Sequence, residues 1–363
     1  MGFEDTVRSM KVRGKLQAGS LIVAGATIAP VTIGQYFFVD ARGHWGVGSD
    51  NNDGLSWTTP LATIQAAVNK CVDKRGDVIL VGSASNCKGD HYAGTSTHQW
   101  DYMKIKENVL ITTSNVHIIA VPYGSTWSHQ MRVSDGRGDN LETYGTGTRT
   151  LHAISLYSVV SSDSVGFVVN AQCVEIAGFC IDCGGGKVGI YVGDGSGITG
   201  TLDEGYNAAG TWIHDNFIRG GSDGTTGAGI VLQGCASDVV IENNIIEQCG
   251  GFGIYIGSGS EKTNERPTIR YNQFNDNKGY GIYIYGSTTN KGILIHGNSF
   301  MDGDNTMTAG IKSGSEGGAN SHMLISNNTF GCDTPLDLAT TDFFSGNFKK
   351  TTGTASETYV SEA

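Results

Sequence analysis

Proline is scarce, at 5 of 363 residues, cysteine is sparse, at 8, and charged side chains make up only 16%. Each shortage excludes something. A collagen-like or proline-rich chain needs far more proline, and a coiled coil draws about half of its residues from a charged, helix-favouring set. A disulfide framework needs its cysteines crowded into a short chain. No run approaches the roughly 18–20 uninterrupted apolar residues of a membrane span, because the nearest, from Leu21 to Ile33, is broken by Gly25, Thr27, Pro30 and Thr32. Lys11, Arg13 and Lys15 precede that run, but a leader of this length, acidic at Glu4 and Asp5, reads poorly as a secretory signal. The opening Met1 to Thr6 matches only the loose N-myristoylation pattern and reads as an ordinary start. Lysine and arginine number 24 against 35 acidic residues, a net charge of −11, and form no block, which argues against a nucleic-acid partner.

Glycine is abundant, at 54 residues, while 39% of the chain is hydrophobic. That combination describes a packed body built of short strands and many turns. Five segments share the pattern I-x-x-N-x-I/F: Ile213–Ile218, Ile241–Ile246, Ile269–Phe274, Ile295–Phe300 and Ile325–Phe330. Their asparagines, Asn216, Asn244, Asn272, Asn298 and Asn328, lie 28, 28, 26 and 30 residues apart. Each copy is followed by a second apolar strand: Gly229–Leu232, Gly253–Ile256, Gly281–Ile284, Gly310–Ile311 and Leu336–Leu338. A strand this short cannot bury a face alone and must stack on copies of itself. A period of this length suffices for three strands and three turns, which return the chain about 4.8 Å above its start. The pattern therefore predicts an all-β, right-handed parallel β-helix. Its isoleucines and phenylalanines form inner columns, and its asparagines form an amide ladder, each donating to the next. The glycine ahead of each Gly-Ile strand meets a need for positive φ or for close approach.

Less regular copies extend the solenoid back to Asp77, giving about ten coils over residues 77–349. Segments 85–100, 125–150 and 193–210 read as loops projecting from the corners, and residues 350–363 as a C-terminal tail. Residues 36–76 read as a leading segment with an N-terminal capping α-helix. Thr59-Pro60 marks its start, Leu61, Ile64, Val68 and Cys71 its apolar face, and Gly76 its end. The run from Met10 to Ile28 alternates apolar with small or polar residues and has too little core to stand alone. Residues 1–35 therefore read as an assembly and attachment arm.

Five groups of side chains invite a chemical reading. Glu247, Asp276 and Asp302 sit three or four residues past their asparagines and are expected side by side on successive coils, at separations that paired-carboxylate glycoside hydrolysis could use. The residues following isoleucine in the Gly-Ile strands, Tyr191, Val231, Tyr255, Tyr283, Lys312 and Asp337, form an outward stripe suited to binding or to a subunit interface. A second outward column of Glu175, His214, Glu242, Arg270 and His296 reads as a surface ion ladder, and its histidines make a poor metal site. Cys173, Cys180 and Cys183 lack the partners of a zinc site and read as small buried residues. The stretch Asp50–Gly54 misses the ligand spacing of a calcium loop and reads as a turn. No metal and no cofactor is expected.

The segments Tyr36–Asp40, Gly48–Gly54, Trp57 and Pro60–Gln65 resemble the leading part of right-handed parallel β-helix proteins of the pectate-lyase-like superfamily, a resemblance covering roughly residues 36 to 349. It implies the fold rather than the chemistry, since that superfamily includes polysaccharide lyases, glycoside hydrolases, phage tailspikes and non-catalytic virion or surface proteins. The arm resembles the attachment regions of trimeric phage surface proteins. The chain is thus expected to be a homotrimeric structural protein of a tailed-phage virion surface, assembled in the host cytoplasm. In that role it is a capsid decoration or compact spike, bound to other virion proteins through residues 1–35 and in contact with host glycans. Two alternatives stay open: a polysaccharide-degrading glycoside hydrolase, or a non-catalytic carbohydrate-binding protein at an extracellular surface. A lyase is disfavoured, because the Gly-Ile strands offer only Lys312 and Asp337 as the metal-binding acid and the base.

Overall fold

The structure is a computed structural model that describes residues 22–23, 26–27, 34–40, 48–82, 104–121, 154–157, 165–182, 188–193, 208–221, 227–234, 236–257, 264–285, 290–303, 306–314, 323–338, 343–350 and 357–359. In each repeat the isoleucine occupies the middle of a three-residue strand and is fully buried, while its two neighbours face outward. Ile213, Ile241, Ile269, Ile295 and Ile325 lie in register one above another. Around the corner the same happens to Ile218, Ile246, Phe274, Phe300 and Phe330. The third column runs Ile190, Ile230, Ile254, Ile282, Ile311 and Leu336. The result is a parallel solenoid of three sheets, a first and a second of ten strands and a third of eight. The three columns converge on one continuous apolar core. Inside it Phe274, Phe300 and Phe330 stack face to face, with centroids 4.7 and 4.8 Å apart. It is a right-handed parallel β-helix.

The corner between the first and second sheets is the most regular feature. One residue there is left-handed in coil after coil, at Gly178, Asp215, Asn243, Tyr271, Gly297, Asn327 and Gly346, and the ladder asparagine follows each of them except Gly178, which Phe179 follows. Each side-chain Oδ1 accepts both the backbone N–H and the Nδ2–H of the asparagine one coil earlier, at 2.9–3.1 Å. Its own Nδ2 also reaches back to the previous coil's isoleucine carbonyl. The ladder extends beyond the five repeats: Asn347 continues it below Asn328, and the N–H of Phe179 docks on Asn216 at its top. A shorter ladder, Asn264 to Asn290, occupies another corner.

The helix is shorter than its sequence suggests. It spans Ile64–Lys70 (α1), with Thr63 as N-cap. Leu61 belongs instead to a β-bridge with Val39, exchanging hydrogen bonds with Phe38 and Asp40, so Thr59-Pro60 lies in the preceding turn. Asp50 accepts the N–H groups of Ala62 and Thr63, and Glu107 those of Ile64 and Gln65. The Asp50–Gly54 stretch thus serves the helix start. Ile64, Ala67 and Val68 are buried in the common core.

Within the arm, Ile22–Val23 and Ala26–Thr27 pair antiparallel, and the rest of residues 1–33 lies outside the described residues, as do the bodies of the three expected loops. The tail is not wholly a tail. Glu357–Tyr359 pairs antiparallel with Phe348–Lys350, so that the last parallel strand of the second sheet is not left as an open edge. Cys173 is exposed rather than buried, because it is the left-handed turn residue ahead of the first sheet. Cys180's side chain and Cys183 lie outside the described residues. Among the described residues no helix is long and apolar enough to cross a membrane.

Candidate functional site

The three carboxylates picked from the sequence lie at the corner after the second sheet, but in two columns rather than one. Glu247 pairs in register with Arg219 on one side and Asn275 on the other. Asn275 in turn pairs with Met301. Asp276 and Asp302 come one position later, in line with Gln248. The offset from the asparagine, three residues for Glu247 and four for the aspartates, carries this difference. It also reveals the two members that the sequence reading missed, Arg219 and Gln248. The Arg219 guanidinium donates to Gln248 Oε1, and Gln248 Nε2 donates to Asp276 Oδ2 at 3.5 Å, a chain across three coils. Asp302 Oδ1 accepts the N–H of Met307 in its own turn at 2.8 Å.

Electrostatics separate these groups. Burial pushes the Glu247 carboxyl up, Arg219 opposes it and Asp276 reinforces it, leaving the group titrating at about 7. Asp302 is also raised, chiefly by burial, with Asp333 and Asp276 adding to it against the Met307 N–H. Glu247 is therefore the member able to keep a proton near neutrality.

The tyrosine stripe is in register as expected, Tyr191–Val231–Tyr255–Tyr283–Lys312–Asp337. It is not a free row. Tyr191 is 1% exposed and Val231 6%, because the upper half lies in a second apolar cluster with Val165, Val168, Val188 and Ala228, and Tyr283 is 7% exposed. Lower down, Tyr255 and Tyr283 stack at 5.7 Å with planes 6° apart, and Phe252 and Tyr280 at 6.0 Å with planes 10° apart. Rings stacked along the solenoid axis cover one another's faces. Lys312 bonds Asp337 at 2.9 Å.

The ion ladder is real but differently threaded. Glu175 sits two positions before the histidine column, in line with His117 and Trp212, while Ala177 is in line with His214. From there its carboxylate bridges His117 Nδ1 at 2.5 Å and His214 Nε2 at 2.9 Å, and His214 Nδ1 meets Asp215 at 2.8 Å. Glu242 follows, holding Trp212 Nε1 at 2.9 Å and Arg270 Nε at 2.5 Å. His214 and His296 are separated by the coils of Glu242 and Arg270, and among the described residues no group of three or more His, Cys, Asp or Glu is placed to hold a metal ion. Burial raises Glu175, but the two histidines outweigh it and hold the carboxyl at about 2. Burial disfavours the charged form of His214, and Asp215 and Glu175 overcome that, lifting it to about 9.

These shifts set a pH window. The Glu175 contribution is full above about 4.5 and lost as pH falls through 2. The His214 contribution is full below about 6.5 and lost as pH rises through 9. The melting temperature should therefore be highest between those limits and fall between pH 7 and 9. In His214→Gln that alkaline fall should flatten, for a contribution on the order of 3 kcal/mol shared by the pair. Parallel curves for parent and variant would refute it.

The segment 166–330 matches the family described as "Right handed beta helix region". No curated protein matches the chain in sequence. Among solved structures, the GH136 lacto-N-biosidase from Eubacterium ramulus aligns with a TM-score of 0.52 and 12% identity, over 87% of this chain and 56% of its own. DFA-IIIase from Arthrobacter chlorophenolicus A6 aligns with a TM-score of 0.50 and 16% identity, over 86% and 68%. Geobacillus virus E2 ORF18 aligns with a TM-score of 0.41 and 13% identity, over 79% and 57%. The chain spans little more than half the length of the lacto-N-biosidase. At these identities the likeness is one of fold.

Proposed function

We propose that the chain is a structural protein of a tailed-phage surface, a capsid decoration or compact spike, that binds other virion proteins through residues 1–35 and associates as a homotrimer. The observation that supports it is how the outward polar groups are used. Arg219, Gln248 and Asp276 bond to one another from coil to coil, Asp302 to its own turn, and Glu175, His214 and Glu242 to neighbouring strands. Such groups tie coils together. The half-buried rings of Phe252, Tyr255 and Tyr280, in contact with one another, suit packing against a sister subunit better than they suit sugar faces. Light scattering on the purified chain should give three times 38.3 kDa. Deleting residues 1–35 should abolish re-binding to particles stripped of the protein while leaving the solenoid folded, with a small fall in melting temperature from the lost Gln35 bonds to Asp77 and Val78. A monomer whose particle binding survives the deletion would end the proposal.

A second reading rests on Glu247. A carboxyl protonated up to about pH 7 beside the Asp276 carboxylate is the pairing that an acid-assisted glycoside hydrolase requires. In that reading Glu247 is the general acid, Asp276 the base or nucleophile, and Asp302 a supporting charge. Release of reducing ends from a capsule or cell-wall glycan, lost at least about 100-fold in Glu247→Gln and Asp276→Asn, would favour it over the structural role.

A further inference from the structure

On the outer face of the first sheet lie exposed side chains, Trp212, Arg270 and Tyr271, that neither reading uses. Trp212 is 40% exposed and yet fixed. Its Nε1 donates to Glu242 at 2.9 Å, and one face rests on the His214 imidazole, centroids 3.8 Å apart. An exposed ring that is already immobilised loses little entropy when something binds it. Two coils and two strand positions further on, about 12 Å away at strand spacing and rise, stands Arg270, its side chain 43% exposed. Only its Nε is engaged among the described residues, by Glu242, so the outer fork of the guanidinium is left for a carboxylate. Beside it Tyr271, 53% exposed, is held left-handed at φ 57°, with its ring edge on His296.

We infer that this face, centred on Trp212 and Arg270, binds a linear acidic polysaccharide lying along the solenoid axis. The indole offers an apolar face to the C–H side of a sugar ring, and the guanidinium fork takes the carboxylate of a uronic-acid unit further along. The nearby acids do not repel such a ligand strongly, because Glu175 and Glu242 are each already held by two donors, among them His214, which carries positive charge up to about pH 9. A protein partner fits less well, since the surface is charged and the rings are isolated. Trp212 lies two coils away from Arg270 and Tyr271, so the ligand is a polymer or an oligomer of several units. The inference stands whether or not the chain belongs to a virion.

The test is calorimetric titration of the full chain with oligogalacturonate, oligoalginate and hyaluronan fragments, and with cello-oligosaccharides of equal length as the neutral control. At least one acidic series should bind, about tenfold or more tighter than the neutral one, and weaken with salt. Trp212→Ala should lose about tenfold, Trp212→Phe less, and Arg270→Gln should erase the preference for the acidic series. Tyr255→Ala, on the third sheet, should bind as the parent does. The inference fails if no acidic series binds, if the neutral oligomers bind equally well, or if Trp212→Ala and Arg270→Gln leave affinity unchanged. Arg270→Gln removes a surface ion pair with Glu242 but no core contact, so a folding defect in the tryptophan variant leaves the test decisive.

Discussion

Replacing Asn272 with alanine is expected to destabilise the solenoid by about 3–5 kcal/mol, several times the cost of a surface substitution. Its amide makes five hydrogen bonds. Oδ1 accepts from Asn244 N and Nδ2 at 3.0 Å, and Nδ2 donates to Ile241 O, Arg270 O and Asn298 Oδ1 at 2.9–3.1 Å. Alanine removes all five and leaves the Asn244 N–H, fully buried at the corner, with no acceptor. Water cannot replace it there, since Asn244 and Asn272 are each 1% exposed. Aspartate is the sharper comparison. It keeps the shape and both accepted bonds but turns the donor into a third party of oxygens facing Ile241 O, Arg270 O and Asn298 Oδ1. It should therefore cost at least as much as alanine at neutral pH and recover partly in acid, where the carboxyl regains a proton. Asn216→Ala should cost less, because above it only the Phe179 N–H depends on the ladder. Urea midpoints for the three variants measure this order. A loss under about 1 kcal/mol for Asn272→Ala would mean that the ladder decorates the corner rather than holding it.

That ladder was legible because one residue type recurs at one offset from an isoleucine, and the same offset fixes which face is inside. Columns further from the asparagine were harder to read. Glu247 and Asp276 differ by a single position after Asn244 and Asn272, and one position in a strand or turn changes the neighbour entirely. Glu175 was misplaced by two positions, since it precedes Ile176 whereas His214 follows Ile213. Asn347 escaped notice because only 19 residues separate it from Asn328, a coil with a much shortened return. Burial of Tyr191 was invisible for another reason: alternation says that a side chain points outward but not what lies over it. The His117–Glu175–His214 network joins residues 58 and 39 apart in sequence, a pairing that no local pattern encodes. Fold followed from periodicity, and the candidate sites depended on register, which periodicity fixes only near its anchors.

Valine at Gly281 is expected to prevent folding of the solenoid, and alanine there to cost about 3 kcal/mol or more. The sequence left two reasons open for the glycine ahead of each Gly-Ile strand, and the backbone decides between them. Gly229, Gly253, Gly281 and Gly310 are absent from the glycines with positive φ, so conformational freedom is not what they provide. Space is. A Cβ on Gly281 would lie 2.5 Å from Phe300 Cδ1 and 2.6 Å from the Gly310 carbonyl oxygen, and one on Gly253 would meet Phe274 at 2.8 Å and the Gly281 carbonyl at 2.5 Å. The stacked phenylalanines fill the interior up to the backbone of the third sheet, and the glycine is the other half of that fit. Truncating the ring tests the coupling directly. Phe300→Leu alone opens a cavity and destabilises, yet in combination with Gly281→Ala it should recover part of the alanine's cost, a non-additive cycle between contacting residues. Recovery should remain incomplete, because the Gly310 carbonyl belongs to the next strand's backbone and cannot retreat without breaking the sheet. Additive losses in the double variant would show that the ring and the glycine act independently. In that case the shared interior packing would not be what sets the glycine.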